Sequence, residues 1–352
     1  MSWSMFTLLF DTVTTLVLTV LRYEFKTVKV VTLTLAKMLL TAVLSYLFLR
    51  FLDPSIKGIL ISRWVAAVII SVFILRETVK FIKFTFDKEI IKEILVYAAP
   101  SVPASIAFWV IVNSNSMFLQ KFTSSWEVGI YGAATRFASL ITLLTSGVQM
   151  AWRPYSMSMK DKPNSKDIFA KIFMAIWLLG MIGVLIVATI MPKVILLLHK
   201  NYYDAYEYVA PISAVTFLNF FYMIVSVGIF IKKETKYISY AFGIAAVLDV
   251  ILNLTLIPLF SIWGSVAAYL ISYVVAFVYI FFKSQKIYYV PVSFGKMSTL
   301  FVTMLIAVFL IIYIQEHHFS WLYIAAIWLG YLGTIGVCRV DKDFKKAITQ
   351  TN

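Results

Sequence analysis

The stretch VGIYGAATRFASLITLLTSGVQMAWRPYSMSM, residues 128–159, decides the fold. Its part 128–151 carries a single charge, Arg136. A helix needs about 20 apolar residues to cross roughly 30 Å of hydrocarbon, and this run is long enough. The same signal recurs outward in both directions. Residues 5–21, 30–49, 59–75, 94–112, 128–151, 172–192, 209–231, 238–258, 264–282, 299–314 and 320–338 all qualify, which predicts eleven spans. Flanking aromatics and lysines let the shorter ones reach the interfaces. Composition agrees: 61% of the 352 residues are hydrophobic and 14% charged, with a mean hydropathy of +0.89. A soluble domain has about 45–50% apolar and about 25% charged residues. The expected class is an all-α integral membrane protein, a polytopic bundle of about eleven transmembrane helices.

The net charge of +14 does not indicate nucleic-acid binding, because the basic residues sit in short connections between apolar runs rather than on one solvated face. Counted by alternate connection, 23 Lys and Arg fall on one side and five (Arg50, Lys57, Lys121, Lys193, Lys200) on the other. Cytoplasmic loops carry the excess of positive charge, so the C-terminus is expected on the cytoplasmic side and Met1 outside. No signal-peptide pattern precedes the first run. A chain lacking an odd number of upstream helices accounts for this outside start.

The expected organisation is three spans at 1–75, a connector at 76–93, eight spans at 94–338 and a tail at 339–352. In the connector Val79, Ile82, Phe86 and Ile90 recur at helical spacing among lysines. That pattern predicts an amphipathic helix on the inner leaflet, against the alternative of a solvated connector. Outer loops of about fifteen residues are expected at 113–127 and 193–208.

Ionisable groups inside spans are costly and usually face a partner or a water-filled cavity. Here they are Asp11, Lys37, Arg63, Arg136 and Asp249, with polar Asn113, Asn115, Gln149 and Asn253 nearby. Three of the five are cationic, which suits an anionic substrate. Asp11 and Lys37 lie at comparable depths on consecutive spans and could neutralise each other. Arg63 lies close enough to its span end to snorkel. Arg136 is too deep for that, which favours a cavity. Asp249 and Asn253, one turn apart, share a face that could serve coupling or only helix packing. Pro100 and Pro103 predict a kink early in the fourth span, suited to gating.

Enzyme constellations are missing from the sequence. There is no phosphate-binding glycine loop, no HExxH, and the histidines, His199, His317 and His318, lie outside the spans. Cys338 stands alone, so neither a disulfide framework nor a thiolate metal site is expected. No catalytic residue, metal or cofactor is expected.

The order of features resembles the bacterial polysaccharide and O-antigen flippases, the polysaccharide transporter branch of the multidrug/oligosaccharidyl-lipid/polysaccharide (MOP) exporter superfamily. The resemblance rests on 128–159 together with KEILVYAAPSVPASIAFWVIVNSNSMFLQKF (92–122), LDVILNLTLIPLFSIWGSVAAYLISYV (248–274) and LRYEFKTVKVVTL (21–33). It implies a two-lobed bundle working by alternating access, with an N-terminal lobe here short of three helices. The implied substrate is an undecaprenyl-diphosphate-linked oligosaccharide for O-antigen, capsule or exopolysaccharide. Membrane lipids and the polysaccharide polymerase machinery are the implied partners. Arg136 stands where such proteins carry a basic cavity residue; Lys37, Arg63, Gln149, Asn113 and Asn115 follow as cavity candidates. A lipid II flippase or a MATE-type cation/drug antiporter of the same superfamily is the alternative reading. A membrane glycan transferase or ligase is disfavoured by the lack of long loops.

Overall fold

A computed structural model describes residues 2–52, 55–78, 87–99 and 101–338. These fold as α1 (Ser2–Tyr23), α2 (Thr27–Phe51), α3 (Ile56–Thr78), α4 (Lys88–Ala98), α5 (Ser101–Phe122), α6 (Ser125–Ala138), α7 (Leu140–Met159), α8 (Ser165–Val194), α9 (Tyr206–Val225), α10 (Val227–Ile231), α11 (Lys236–Ile287), α12 (Phe294–Glu316) and α13 (Trp321–Val337). Short 3-10 turns at Ile195–Leu197 and Lys200–Ala205 connect α8 to α9. No strand occurs among the described residues. The chain is an all-α polytopic membrane protein.

Among the described residues nine helical stretches are long and apolar enough to cross a membrane. One of them, α11, has 52 residues, which would run about 78 Å as a straight helix. It does not run straight. Ser261 has φ 50 and ψ −125, outside helical space, and a methyl group on Gly264 would stand 2.3 Å from the Leu256 carbonyl oxygen. In a straight helix those residues would be about 12 Å apart, so the chain doubles back at Ser261. Phe242 and Tyr273, on opposite limbs, meet edge to face at 6.1 Å. With α11 read as two limbs and the 17-residue α13 added, the eleven spans of the sequence are all present.

Their interiors differ from the expectation in three places. The span at 94–112 becomes a separate α4 followed by α5, with Pro103 in the first turn of α5. A proline there displaces no helical hydrogen bond, so Pro103 marks a helix start rather than a kink; Pro100 lies outside the described residues. The run 128–151 is two helices meeting at Ser139. The run 209–231 is likewise divided, at Ser226.

The loop expected at 113–127 is mostly helix. α5 continues to Phe122 because Leu119 packs fully buried, and Ser124 then caps α6 in a reciprocal pair with Glu127. Glu127 also accepts a hydrogen bond from Ser261 Oγ, pinning the α11 turn to the start of α6.

Tight ends close several hairpins without glycine. Phe25, Lys233 and His318 take φ values of 56°, 58° and 53°. At each, the next amide bonds back to a carbonyl five residues earlier: Lys26 to Leu21, Glu234 to Ile229 and Phe319 to Ile314. This is the Schellman arrangement, normally built on glycine.

The chain separates into two compact units, Met1–Lys88 and Glu89–Asn352. In the first, Val17, Leu18, Leu21, Val30, Ile70 and Ile74 form a small core. Hydroxyl pairs Thr14–Ser71 (3.2 Å) and Ser45–Ser62 (3.0 Å) bridge its helices, as expected where lipid supplies no competing water. In the second, Trp177 sits among Phe217, Phe221, Phe277 and Phe301, and its Nε1 donates to the Met297 carbonyl at 3.1 Å. Gly180 leaves room for the Phe217 ring, which a methyl group there would meet at 2.0 Å.

The amphipathic helix expected over 76–93 is described only from Lys88, since 79–86 lie outside the described residues. There α4 exposes Ile90, Ile94 and Leu95, and Glu93 receives Lys233 Nζ at 2.5 Å.

Candidate functional site

The second unit holds a cavity of about 710 Å³ whose wall is one stripe of α6. Gly129, Gly132, Ala133, Arg136 and Phe137 recur at helical spacing along it, with Leu198 and Tyr202 opposite. The two glycines are what leave the stripe hollow. A methyl group on Gly132 would touch nothing within 4 Å, and one on Gly129 would only reach the Tyr202 ring at 3.5 Å. Arg136 is exposed into this space, and no carboxylate pairs with its guanidinium among the described residues. Five N–H donors in a planar fork, beside apolar walls, suit a phosphate oxygen cluster rather than a cation.

Deeper in the same unit is a polar network around Asp249, which is fully buried. Its Oδ2 accepts from Ser114 Oγ at 2.5 Å and from Asn253 Nδ2 at 3.0 Å. Asn115 extends the network, its Oδ1 accepting from Ser265 Oγ at 2.9 Å and its Nδ2 donating to the Ile111 carbonyl. The other carboxylate oxygen of Asp249, Oδ1, and the amide oxygen of Asn253 have no hydrogen-bond partner. Among the described residues no Lys, Arg or His pairs with Asp249. A buried carboxylate so arranged needs a proton or a cation to offset its charge.

The first unit carries the remaining charges. Lys37 and Asp11 form an ion pair at 2.6 Å, with 30% and 39% of their side chains exposed. Of the two readings open from the sequence, mutual neutralisation and a free cavity charge, the geometry gives the former in this state. Arg63 is exposed on α3.

Other sequence candidates fall elsewhere. Asn113 donates to the Trp109 carbonyl of its own helix. Gln149 meets Met223 Sδ at 3.7 Å, outside the Arg136 cavity. Asn115 belongs with Asp249, not with Arg136. Sequence reasoning missed Ser114, Ser265 and Tyr202, and it missed the Gly129–Gly132 spacing that opens the cavity. Only the last had a signal, since 129, 132 and 136 share a helical face.

A sequence-family profile described as "Polysaccharide biosynthesis protein" matches residues 3–173. Among curated proteins none matches the chain in sequence. Two solved structures share the fold. A multidrug resistance MATE family transporter of the MOP superfamily, in an outward-facing conformation, superposes with a TM-score of 0.57 at 17% identity over 75% of this chain. The lipid II flippase MurJ, in an inward closed conformation, gives 0.55 at 16% over 87%. The chain spans 63% and 66% of their respective lengths.

Proposed function

We propose, with support from the match of residues 3–173 to a polysaccharide biosynthesis profile, that this chain translocates an undecaprenyl-diphosphate-linked oligosaccharide. The unit moved is an O-antigen, capsule or exopolysaccharide repeat, crossing the bacterial cytoplasmic membrane by alternating access. The observation that carries this is Arg136, a cation without a carboxylate partner facing a cavity of about 710 Å³. No covalent step is involved: the protein lowers the cost of carrying a charged, sugar-bearing headgroup through hydrocarbon.

In this reading the Arg136 fork takes the diphosphate. Lys37 and Arg63 are the cationic candidates of the first unit, and Lys37 is held there by Asp11. Asn113 and Gln149 offer amides to sugar hydroxyls. Asp249, with Asn253, couples transport to an ion: a proton or monovalent cation on the unpartnered Oδ1 atoms would offset the buried charge. The C-terminus lies in the cytoplasm, and polymerase machinery takes the product on the far side.

The pairing of Asp11 with Lys37 weakens the antiporter alternative. It leaves Asp249 as the one carboxylate of the sequence candidates without a basic partner. A lipid II flippase uses the same chemistry and differs in the glycan accepted.

The test is replacement of Arg136 by Ala in the full-length protein. Surface polysaccharide should fall by at least about tenfold, the scale of one charge-assisted contact. Unchanged polysaccharide at normal protein abundance removes Arg136 from the path. Uptake of lipid II in preference to oligosaccharide-linked lipid by reconstituted vesicles would favour the lipid II reading.

A further inference from the structure

A second pocket, of about 390 Å³, opens in the second unit among α5, α7, α9, α10 and α11. Its walls are Phe108, Tyr222, Phe230 and Phe242, and its one cation is Arg153. The Arg153 guanidinium carbon lies 4.5 Å over the Phe230 ring. That stacking occupies one face of the fork and leaves its edge donors free. No carboxylate pairs with Arg153 among the described residues.

The surroundings fix the level of this pocket. Arg153 is near the C-terminal end of α7, and the pocket reaches Thr235 at the α10–α11 turn. Lys233 and Lys236 flank that turn, each already tied to a carboxylate, Glu93 and Glu234. Lys283 lies over the rings of Tyr237 and Tyr279. Lysines and tyrosines gathered at one end of a bundle mark the headgroup layer, and the basic side faces the anionic leaflet. Among the residues that line the pocket, Arg153 is the cation that can meet a ligand. The aromatic walls suit the first methylenes of an acyl chain.

We propose that this pocket seats the phosphodiester of an anionic phospholipid such as phosphatidylglycerol, clamped by the edge of Arg153. The site is distinct from the Arg136 cavity. The two pockets share no lining residue. A lipid so placed touches α5, α7 and α11 together and would steady the end of the unit where α4 is tethered.

The test uses the purified full chain in detergent, with phosphatidylglycerol, phosphatidylcholine, a polyprenyl diphosphate and inorganic phosphate added separately. Lipid retained on the protein is read by native mass spectrometry. Phosphatidylglycerol should be retained about tenfold over phosphatidylcholine, the scale of one charge-assisted phosphate contact. Arg153→Gln should bring it down to the phosphatidylcholine level. Arg153→Lys should retain an intermediate amount, and so should Phe230→Leu, which keeps the charge and loses the stacking. Arg136→Gln should leave retention unchanged, which separates this site from the transport cavity. Equal retention of the two phospholipids would overturn the proposal, as would wild-type retention by Arg153→Gln. Retention of the polyprenyl diphosphate or inorganic phosphate alone would also do so, because the pocket would then serve another phosphate.

Discussion

Lys37 Nζ stands 2.6 Å from Asp11 Oδ1, joining α2 to α1 by an ion pair inside the apolar length of both helices. Either charge alone would cost about 2.5–3.5 kcal/mol at the centre of an inserting helix. Together they offset much of that cost. Asp11→Asn should therefore lower membrane-integrated protein more than Asp11→Asn combined with Lys37→Gln. Quantitative immunoblotting of membrane fractions checks it; additive losses would mean that the two residues do not compensate each other.

The α11 turn makes a sharper steric prediction. A methyl group on Gly264 would stand 2.3 Å from the Leu256 carbonyl oxygen and 2.8 Å from the Ile257 amide. Backbone on the receiving side cannot rotate away as a side chain can. Gly264→Ala should cost about 3 kcal/mol, the upper range for overpacking, seen as a lower midpoint of thermal unfolding in detergent. An unshifted midpoint would show that the limbs are not in contact there.

Gly132 is the opposite case. Nothing lies within 4 Å of an added methyl group, and alanine in a helix is favoured over glycine by about 1 kcal/mol. Gly132→Ala should keep or raise stability. Gly132→Leu should fill the space beside Arg136 and reduce translocation while the protein still folds. Full transport by the leucine variant would show that the substrate does not pass this wall.

The tether of α4 should be lost in acid. The hydrogen bond and charge of Lys233 hold the Glu93 carboxyl below its ordinary value of 4.5. A depressed value means the pair contributes fully above the ordinary value and is lost as pH falls through the lowered one. The protection of the amides over residues 88–98, as exchange relative to the intrinsic rate at each pH, should hold from pH 7 to about 5 and fall below that. Glu93→Gln should show the lower protection at every pH, with no acid step.

Much of the fold was legible in the sequence for a simple reason. Lipid imposes length and apolarity on every span, so runs such as 172–192 and 299–314 declare themselves without knowledge of neighbours. The interruptions did not. Ser139 and Ser226 end helices inside runs that look continuous, because local capping and packing set those breaks rather than hydropathy. The same holds for α5, which runs past its expected end to Phe122 because Leu119 finds a buried seat.

The charges divide in the same way. Sequence alone determined an all-α membrane chain, the count of its spans, and the few charged residues that those spans must hide. Only the tertiary structure decided what became of each: Asp11 met Lys37, Asp249 met Ser114 and Asn253, and Arg136 was left facing a cavity. Hydropathy is a property of each residue and can be read along the chain. Pairing depends on which helix faces which, and residues as far apart as Ser114 and Asp249 meet only when the bundle packs.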